Sequence, residues 1–141
     1  MSAKYFIDTN IFVYSFDDSQ PYKQKRSLAL INEALETGAG MISTQVIQEF
    51  LNVATQKFAI PLKIDDVRQY LYRIMNPLCE IYPDVELYES CLEIQAETKY
   101  SFYDSLIIAA ALRGNCGFLC SEDLQDGQMV QGVKITNPYR E

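Results

Sequence analysis

Four carboxylates stand where the chain pattern makes chemistry an alternative to a purely structural role. Asp8 falls in YFIDTN, where an apolar, strand-like run stops, and Asp123 follows the strand-like GFLCS by two positions. Glu49 lies between Val46 and Val53 at helical spacing, near the edge of an apolar arc rather than opposite it. Asp104 directly precedes SLIIAAAL, the most hydrophobic stretch of the chain. Singly, each has an ordinary explanation. Asp8 can cap a helix that starts at DTN, Glu49 can reach solvent or pair with a lysine, and Asp104 can interact with a helix dipole for about 0.3 to 1 kcal/mol. Brought together, they form an all-oxygen donor set that would repel strongly without cations. Magnesium and manganese take oxygen ligands, and a divalent pair about 3.5 to 4 Å apart can activate a water and stabilise a leaving oxygen in phosphodiester hydrolysis.

Composition narrows the chemistry further. The 141 residues contain no histidine, which removes Ser-His-Asp and Cys-His nucleophile systems and all histidine acid-base catalysis. Hydrolysis is then left to carboxylates, with a metal. Cys79, Cys91, Cys116 and Cys120 lie in apolar stretches, and without a CxxC pair or a histidine they read as reduced core residues rather than zinc ligands or disulfides. With 12 basic and 19 acidic residues the net charge is −7, so the chain should bind nucleic acid poorly without cations. No apolar run approaches the roughly 20 residues that cross a bilayer, and the N-terminus reads as a strand rather than a signal peptide. The expectation is a soluble cytoplasmic protein.

The elements that must position these acids alternate. A short buried strand is expected at residues 4–7 and a helix at 22–36 through Leu28, Ile31 and Leu35, closed by Gly38 and Gly40. GMIS reads as the second strand. Thr44 can cap a helix through Val46, Ile47, Phe50, Leu51, Val53 and Ala54, limited by Pro61. Asp65 opens another through Val67, Leu71 and Ile74, stopped at Asn76 and Pro77, after which LCEIY is strand-like. Asp84 caps a further helix, SLIIAAALRG is a buried helix ending at Gly114, and GFLCS and VKIT are the last two strands. Length and hydrophobic content suit one domain over residues 1–141. Alternation of this kind gives a three-layer α/β/α sandwich with a mostly parallel central sheet, whose ligands sit beyond the carboxyl ends of the strands.

FIDTNIFVY, STQVIQEFLNV, FYDSLIIAAAL and LCSEDLQDG, in that order and spacing, resemble the PIN-domain ribonucleases, and among them the VapC-type toxins of bacterial toxin-antitoxin modules. The resemblance covers essentially the full length. It implies a magnesium- or manganese-dependent endoribonuclease whose catalytic and metal-binding acids are Asp8, Glu49, Asp104 and Asp123, supported by Asn10 and Ser121, with Asp126 as a further supporting acid and Glu122 directed elsewhere. It also implies attack by metal-activated water, leaving 5′-phosphate and 3′-hydroxyl ends, and a basic antitoxin partner. A homodimer is implied as well, with the helices after Asp65 contributing Tyr70, Tyr72 and Met75 to its interface.

Setting the four acids aside leaves 12 basic against 15 acidic residues, so Lys23, Lys25 and Arg26 are the few candidate phosphate contacts, with solvated surface charge as the alternative. Most of the ten tyrosines fall at apolar helix or strand positions and are expected to be core residues rather than base-stacking ones. Two rival readings remain. A haloacid-dehalogenase-type phosphatase also places an aspartate after its first strand, but needs a second acid two positions on, where this chain has Asn10. An inert PIN-like module would bind a basic protein through the acidic surface.

Overall fold

Tyr5, Phe6 and Ile7 are all buried and form β1 (Tyr5–Ile7), a strand covered on both faces, as a continuous apolar run in a parallel sheet requires. The computed structural model describes residues 3–140. Around β1 stand β2 (Gly40–Ser43), β3 (Cys79–Ile81), β4 (Phe118–Cys120), β5 (Met129–Val130) and β6 (Val133–Thr136), in the spatial order β3-β2-β1-β4-β6-β5. All neighbours run parallel except β5, which is antiparallel to β6. The chain steps outward from β1 through β2 to β3, then returns to pair β4 on the other side of β1. Strand order therefore reverses between β1 and β4, and a crevice opens at their carboxyl ends. The expected α/β/α sandwich with a mostly parallel sheet is the observed fold.

Helices fill the crossovers. Six residues make α1 (Thr9–Tyr14), and α2 (Pro21–Thr37) carries its proline in the first turn, where a missing N–H costs nothing, and ends at Gly38 in the left-handed region at φ 72°. The apolar face of α3 (Thr44–Gln56) buries Val46, Phe50 and Ala54. Asp84 caps α6 (Val85–Thr98) by accepting the Leu87 N–H at 2.8 Å, and its two oxygens also receive the Arg113 guanidinium at 2.8 and 2.6 Å. That pairing joins the start of α6 to the end of α7 (Phe102–Arg113), and the hydrogen bonds from Arg113 hold the Asp84 carboxyl below its ordinary range. Ser105 to Ala111 of α7 are all buried, which explains why this helix shows no polar face in sequence.

Besides the N-cap of α3, which is Ser43 rather than the expected Thr44 and makes no side-chain capping bond, two elements differ from the sequence reading. The helix expected to stop at Asn76 and Pro77 instead passes from α4 (Ile64–Tyr70) through a π-helical turn at Leu71–Met75 into α5 (Asn76–Leu78). Pro77 sits in the first turn of α5, where it has no intrahelical N–H bond to break. The other difference is β5, whose two residues are too few to show alternation.

Tyr70 and Met75, offered as dimer surface, are occupied within the chain: Met75 is fully buried and Tyr70 packs on Phe16 and Phe50 at 5.1 Å between ring centroids. Tyr72 alone of the three is well exposed, at 70%. The tyrosines also divide differently from expectation, with Tyr22, Tyr72, Tyr82, Tyr88 and Tyr103 exposed. All four cysteines are free and buried. Among the described residues no helix is long and apolar enough to cross a membrane.

Close packing around β2 yields one stability prediction. A Cβ at Gly40 would stand 2.5 Å from the Ala34 Cβ and 2.7 Å from the Tyr5 ring, with the backbone of two strands and α2 to move before either could yield. Gly40→Ala should lower unfolding free energy by about 1 to 3 kcal/mol, read from urea denaturation. An unchanged midpoint would mean that α2 lifts freely from the sheet.

Candidate active site

At the end of β1 the Asp8 N–H donates to the Cys120 carbonyl at 3.0 Å, which fixes its backbone against β4 at the point where strand order reverses. Its side chain does two jobs. One oxygen accepts the Thr9 N–H at 2.7 Å, so the cap on α1 is real, and the other accepts the Ser121 hydroxyl at 2.8 Å. Burial pushes the Asp8 carboxyl from 3.8 up to about 6, hydrogen bonds from Ser121 and Thr9 oppose the rise, and the charges of Glu49 and Asp123 add to it. The net result is a carboxylate short of positive charge.

Hydrogen bonds bring the remaining positions to the same crevice. The Asn10 amide donates to Asp123, so the first turn of α1 holds the loop after β4. The Thr9 hydroxyl donates to one oxygen of Glu49, and Gln45 Nε2 donates to the other at 3.1 Å. Gln45 Nε2 also donates to the Tyr103 carbonyl at 3.1 Å, which docks α3 on the first turn of α7, beside Asp104. Asp104 itself is placed by the cap: its N–H donates to the Ser101 hydroxyl at 3.1 Å. Among the described residues its carboxylate has no hydrogen-bond donor.

Asp8 and Glu49 thus share one hydrogen-bonded network with Thr9, Ser121 and Gln45, Asn10 ties Asp123 to the start of the same helix, and Asp104 is linked to it only through the neighbouring Tyr103 carbonyl. The donors are all oxygen and the acids are net negative, which suits a hard divalent cation such as magnesium or manganese. Among the described residues, no three or more acidic, cysteine or histidine side chains stand together closely enough to hold a metal ion. The Thr9, Asn10 and Ser121 donors instead occupy oxygens of Asp8, Glu49 and Asp123.

Neighbouring acids go elsewhere. Glu122 accepts from Tyr14 at 2.6 Å and from Lys23; burial pushes it up, but these two donors outweigh burial and leave its carboxyl below the ordinary range. Lys23 is thereby engaged rather than free for phosphate, and Arg26 donates from Nε to the Pro138 carbonyl at 3.1 Å. Asp126 accepts the Asn137 N–H at 2.7 Å and lies 3.8 Å from Arg140. Those contacts give it a structural task in the C-terminal turn. Thr9 and Gln45 were not singled out from sequence, although Thr9 adjoins Asp8 and Gln45 precedes Glu49 by one helical turn.

Residues 5–125 match the PIN domain, and the chain belongs to the PIN domain family. Its fold is also that of solved toxin-antitoxin proteins. A toxin-antitoxin complex from Klebsiella pneumoniae is 20% identical, with a TM-score of 0.68 over 99% of this chain and 100% of that one. DNA-bound VapBC from Salmonella typhimurium is 18% identical, with a TM-score of 0.67 over 97% and 99%. Mycobacterium tuberculosis VapC20, described as a sarcin-ricin loop cleaving toxin, is 16% identical, with a TM-score of 0.60 over 85% and 90%. No curated protein sequence matches the chain.

Proposed function

We propose that this chain is a divalent-metal-dependent endoribonuclease, a single catalytic domain acting as the cytoplasmic toxin of a toxin-antitoxin pair. The observation that carries the reading is Asp8: a carboxylate at the strand-order switch, pushed up to about 6 by its burial and by the charges of Glu49 and Asp123. Membership of the PIN domain family and the fold shared with VapC-type toxins support it. Asp8, Glu49, Asp104 and Asp123 would hold magnesium or manganese, which would supply positive charge for the phosphate oxygens and make water nucleophilic at neutral pH.

The chain's own residues set the geometry. Ser121 and Thr9 fix the two oxygens of Asp8, Thr9 and Gln45 fix those of Glu49, and Asn10 holds Asp123. A water would add to phosphorus and give up a proton as the bond to the 3′ oxygen breaks and that oxygen takes one up from solvent, so the fragments would carry 5′-phosphate and 3′-hydroxyl ends. A net charge of −7 makes RNA affinity depend on bound cations. The same charge suits an antitoxin with a lysine- or arginine-bearing segment. In the phosphatase reading the residue two after Asp8 must be an acid; here Asn10 is an amide donor to Asp123.

Purified protein should be incubated with single-stranded and structured RNAs, including a ribosomal stem-loop, in magnesium, in manganese and in EDTA. The expected result is metal-dependent cutting with 5′-phosphate ends. Tight binding of a basic antitoxin segment with no cutting in either metal would replace the nuclease with a docking module. Asp126→Ala should leave the cutting rate within about twofold while lowering the melting temperature slightly, since one capping hydrogen bond is worth about 0.5 to 1.5 kcal/mol. A loss as large as that of Asp123→Ala would return Asp126 to the acid cluster.

A further inference from the structure

Beside the acids, a pocket of about 420 Å³ opens between the end of β3 and the starts of α3, α6 and α7. Its wall combines two kinds of surface. Ile81, Leu87, Leu106 and the rings of Tyr88, Phe102 and Tyr103 form the apolar part, with Tyr103 64% and Tyr88 42% exposed at the rim. Ser43 and Gln45 form the polar part, and both are more than nine-tenths buried. Among the described residues the Ser43 hydroxyl and the Gln45 Oε1 have no hydrogen-bond partner. Ser43 sits at the N-cap of α3 without using its side chain as a cap, and Gln45 spends its amide nitrogen on Glu49 and the Tyr103 carbonyl, leaving its oxygen unused.

Buried polar atoms without partners cost free energy, and a pair of them in the wall of one pocket marks a place where a ligand completes the bonding. A planar aromatic group bearing N–H donors satisfies both halves of the wall: rings on which to stack, and an acceptor oxygen that needs a donor. Every nucleobase has that chemistry. None of the four acids lines the pocket, but Gln45 joins it to Glu49 by a hydrogen bond and Tyr103 at its rim precedes Asp104, which puts an occupant one residue away from each.

We propose that this pocket receives one unpaired nucleobase of the RNA, adjacent to the phosphodiester to be cut, with Gln45 Oε1 and the Ser43 hydroxyl reading its edge. The proposal rests on the nuclease reading for its substrate. It also makes Gln45 a positioning residue that reports base occupancy to Glu49. Both polar atoms are covered by the pocket wall, so reading them requires that wall to rearrange, which shifts at Ser43 and Gln45 would register.

The test uses uncharged ribonucleosides, which lack the phosphate that a metal would bind, so it is independent of cutting. Each of the four is titrated into isotope-labelled protein in EDTA and followed by NMR. Shifts at Ser43, Gln45, Tyr88 and Tyr103 are expected, at least about fivefold weaker affinity in Tyr103→Ala, and loss of the shifts in Leu106→Trp, which fills the pocket, with circular dichroism confirming that both variants fold. Cleavage sites mapped with a metal should share a base preference at one position that Tyr103→Ala relaxes.

Shifts without any cutting would uphold the pocket and sink the nuclease. No shifts would overturn the pocket even if the protein cuts RNA. Nucleoside shifts indifferent to both variants would overturn it as well. So would a basic peptide, or a second copy of the chain, that perturbs these residues when no nucleoside does.

Discussion

Asp8→Asn should abolish cutting and at the same time make the metal-free protein more stable. Loss of even an outer partner of a metal ligand typically costs 10- to 100-fold, so removing a ligand should lower the rate by at least about a hundredfold. The stability gain follows from burial. Asparagine keeps an acceptor for the Thr9 N–H and a polar atom for the Ser121 hydroxyl, while removing a charge that burial and the neighbouring acids disfavour. A carboxyl moved from 3.8 to about 6 destabilises the ionised native state by roughly 1 to 3 kcal/mol, at about 1.4 kcal/mol per pH unit.

The pH dependence fixes the sign. The Asp8 pKa is raised on folding, so the native state holds the proton more tightly than the unfolded chain. Wild-type stability relative to the variant is therefore greatest below about 3.8 and is lost as pH rises through about 6. Thermal melts in EDTA should nearly coincide at the acid end of this window, and the variant should melt higher above it. Magnesium should then reverse the order at pH 7.5, because a cation bound only by the native wild type stabilises it by mass action. A variant less stable than wild type in EDTA at pH 7.5 would mean that Asp8 matters chiefly as the α1 cap.

Much of this arrangement was legible because it follows from patterns that local physics enforces. The buried run at residues 5–7 could only be a central strand, the all-apolar SLIIAAAL only a central helix, and an acid at the end of each of two strands on one sheet edge had to face the switch point. What escaped was decided by contacts distant in sequence. Asp123 and Asp126 look equivalent in SEDLQDG, and only the Asn10 amide on one and the Asn137 N–H on the other separate them. Pro77 looked like a stop because the sequence does not announce the π-helical turn that lets a new helix begin there. Tyrosine burial was misjudged for a related reason: Tyr103 opens an almost wholly apolar helix, yet it lies in the first turn, where the helix emerges from the core.

Phe50→Ala should be the most damaging single change to stability, and its effect should reach the site. The Phe50 ring is fully buried and lies 5.1 to 6.3 Å, centroid to centroid, from Phe12, Phe16, Phe58 and Tyr70. Removing it leaves a void lined by four rings from α1, the loop after it, the segment after α3, and α4, at a cost of about 3 to 5 kcal/mol. For a chain of this size the melting temperature should fall by about 10 to 20 °C. Glu49 is the adjacent residue on α3, so the same ring that anchors the helix sets the rotation that presents Glu49 to Thr9. Cutting measured well below the lowered melting temperature should therefore drop several-fold more than the unfolded fraction explains, and Phe50→Leu should restore most of it by refilling the void. If Phe50→Ala cuts at the wild-type rate per folded molecule, the hydrogen bonds from Thr9 and Gln45 suffice to place Glu49, and the aromatic cluster serves stability alone.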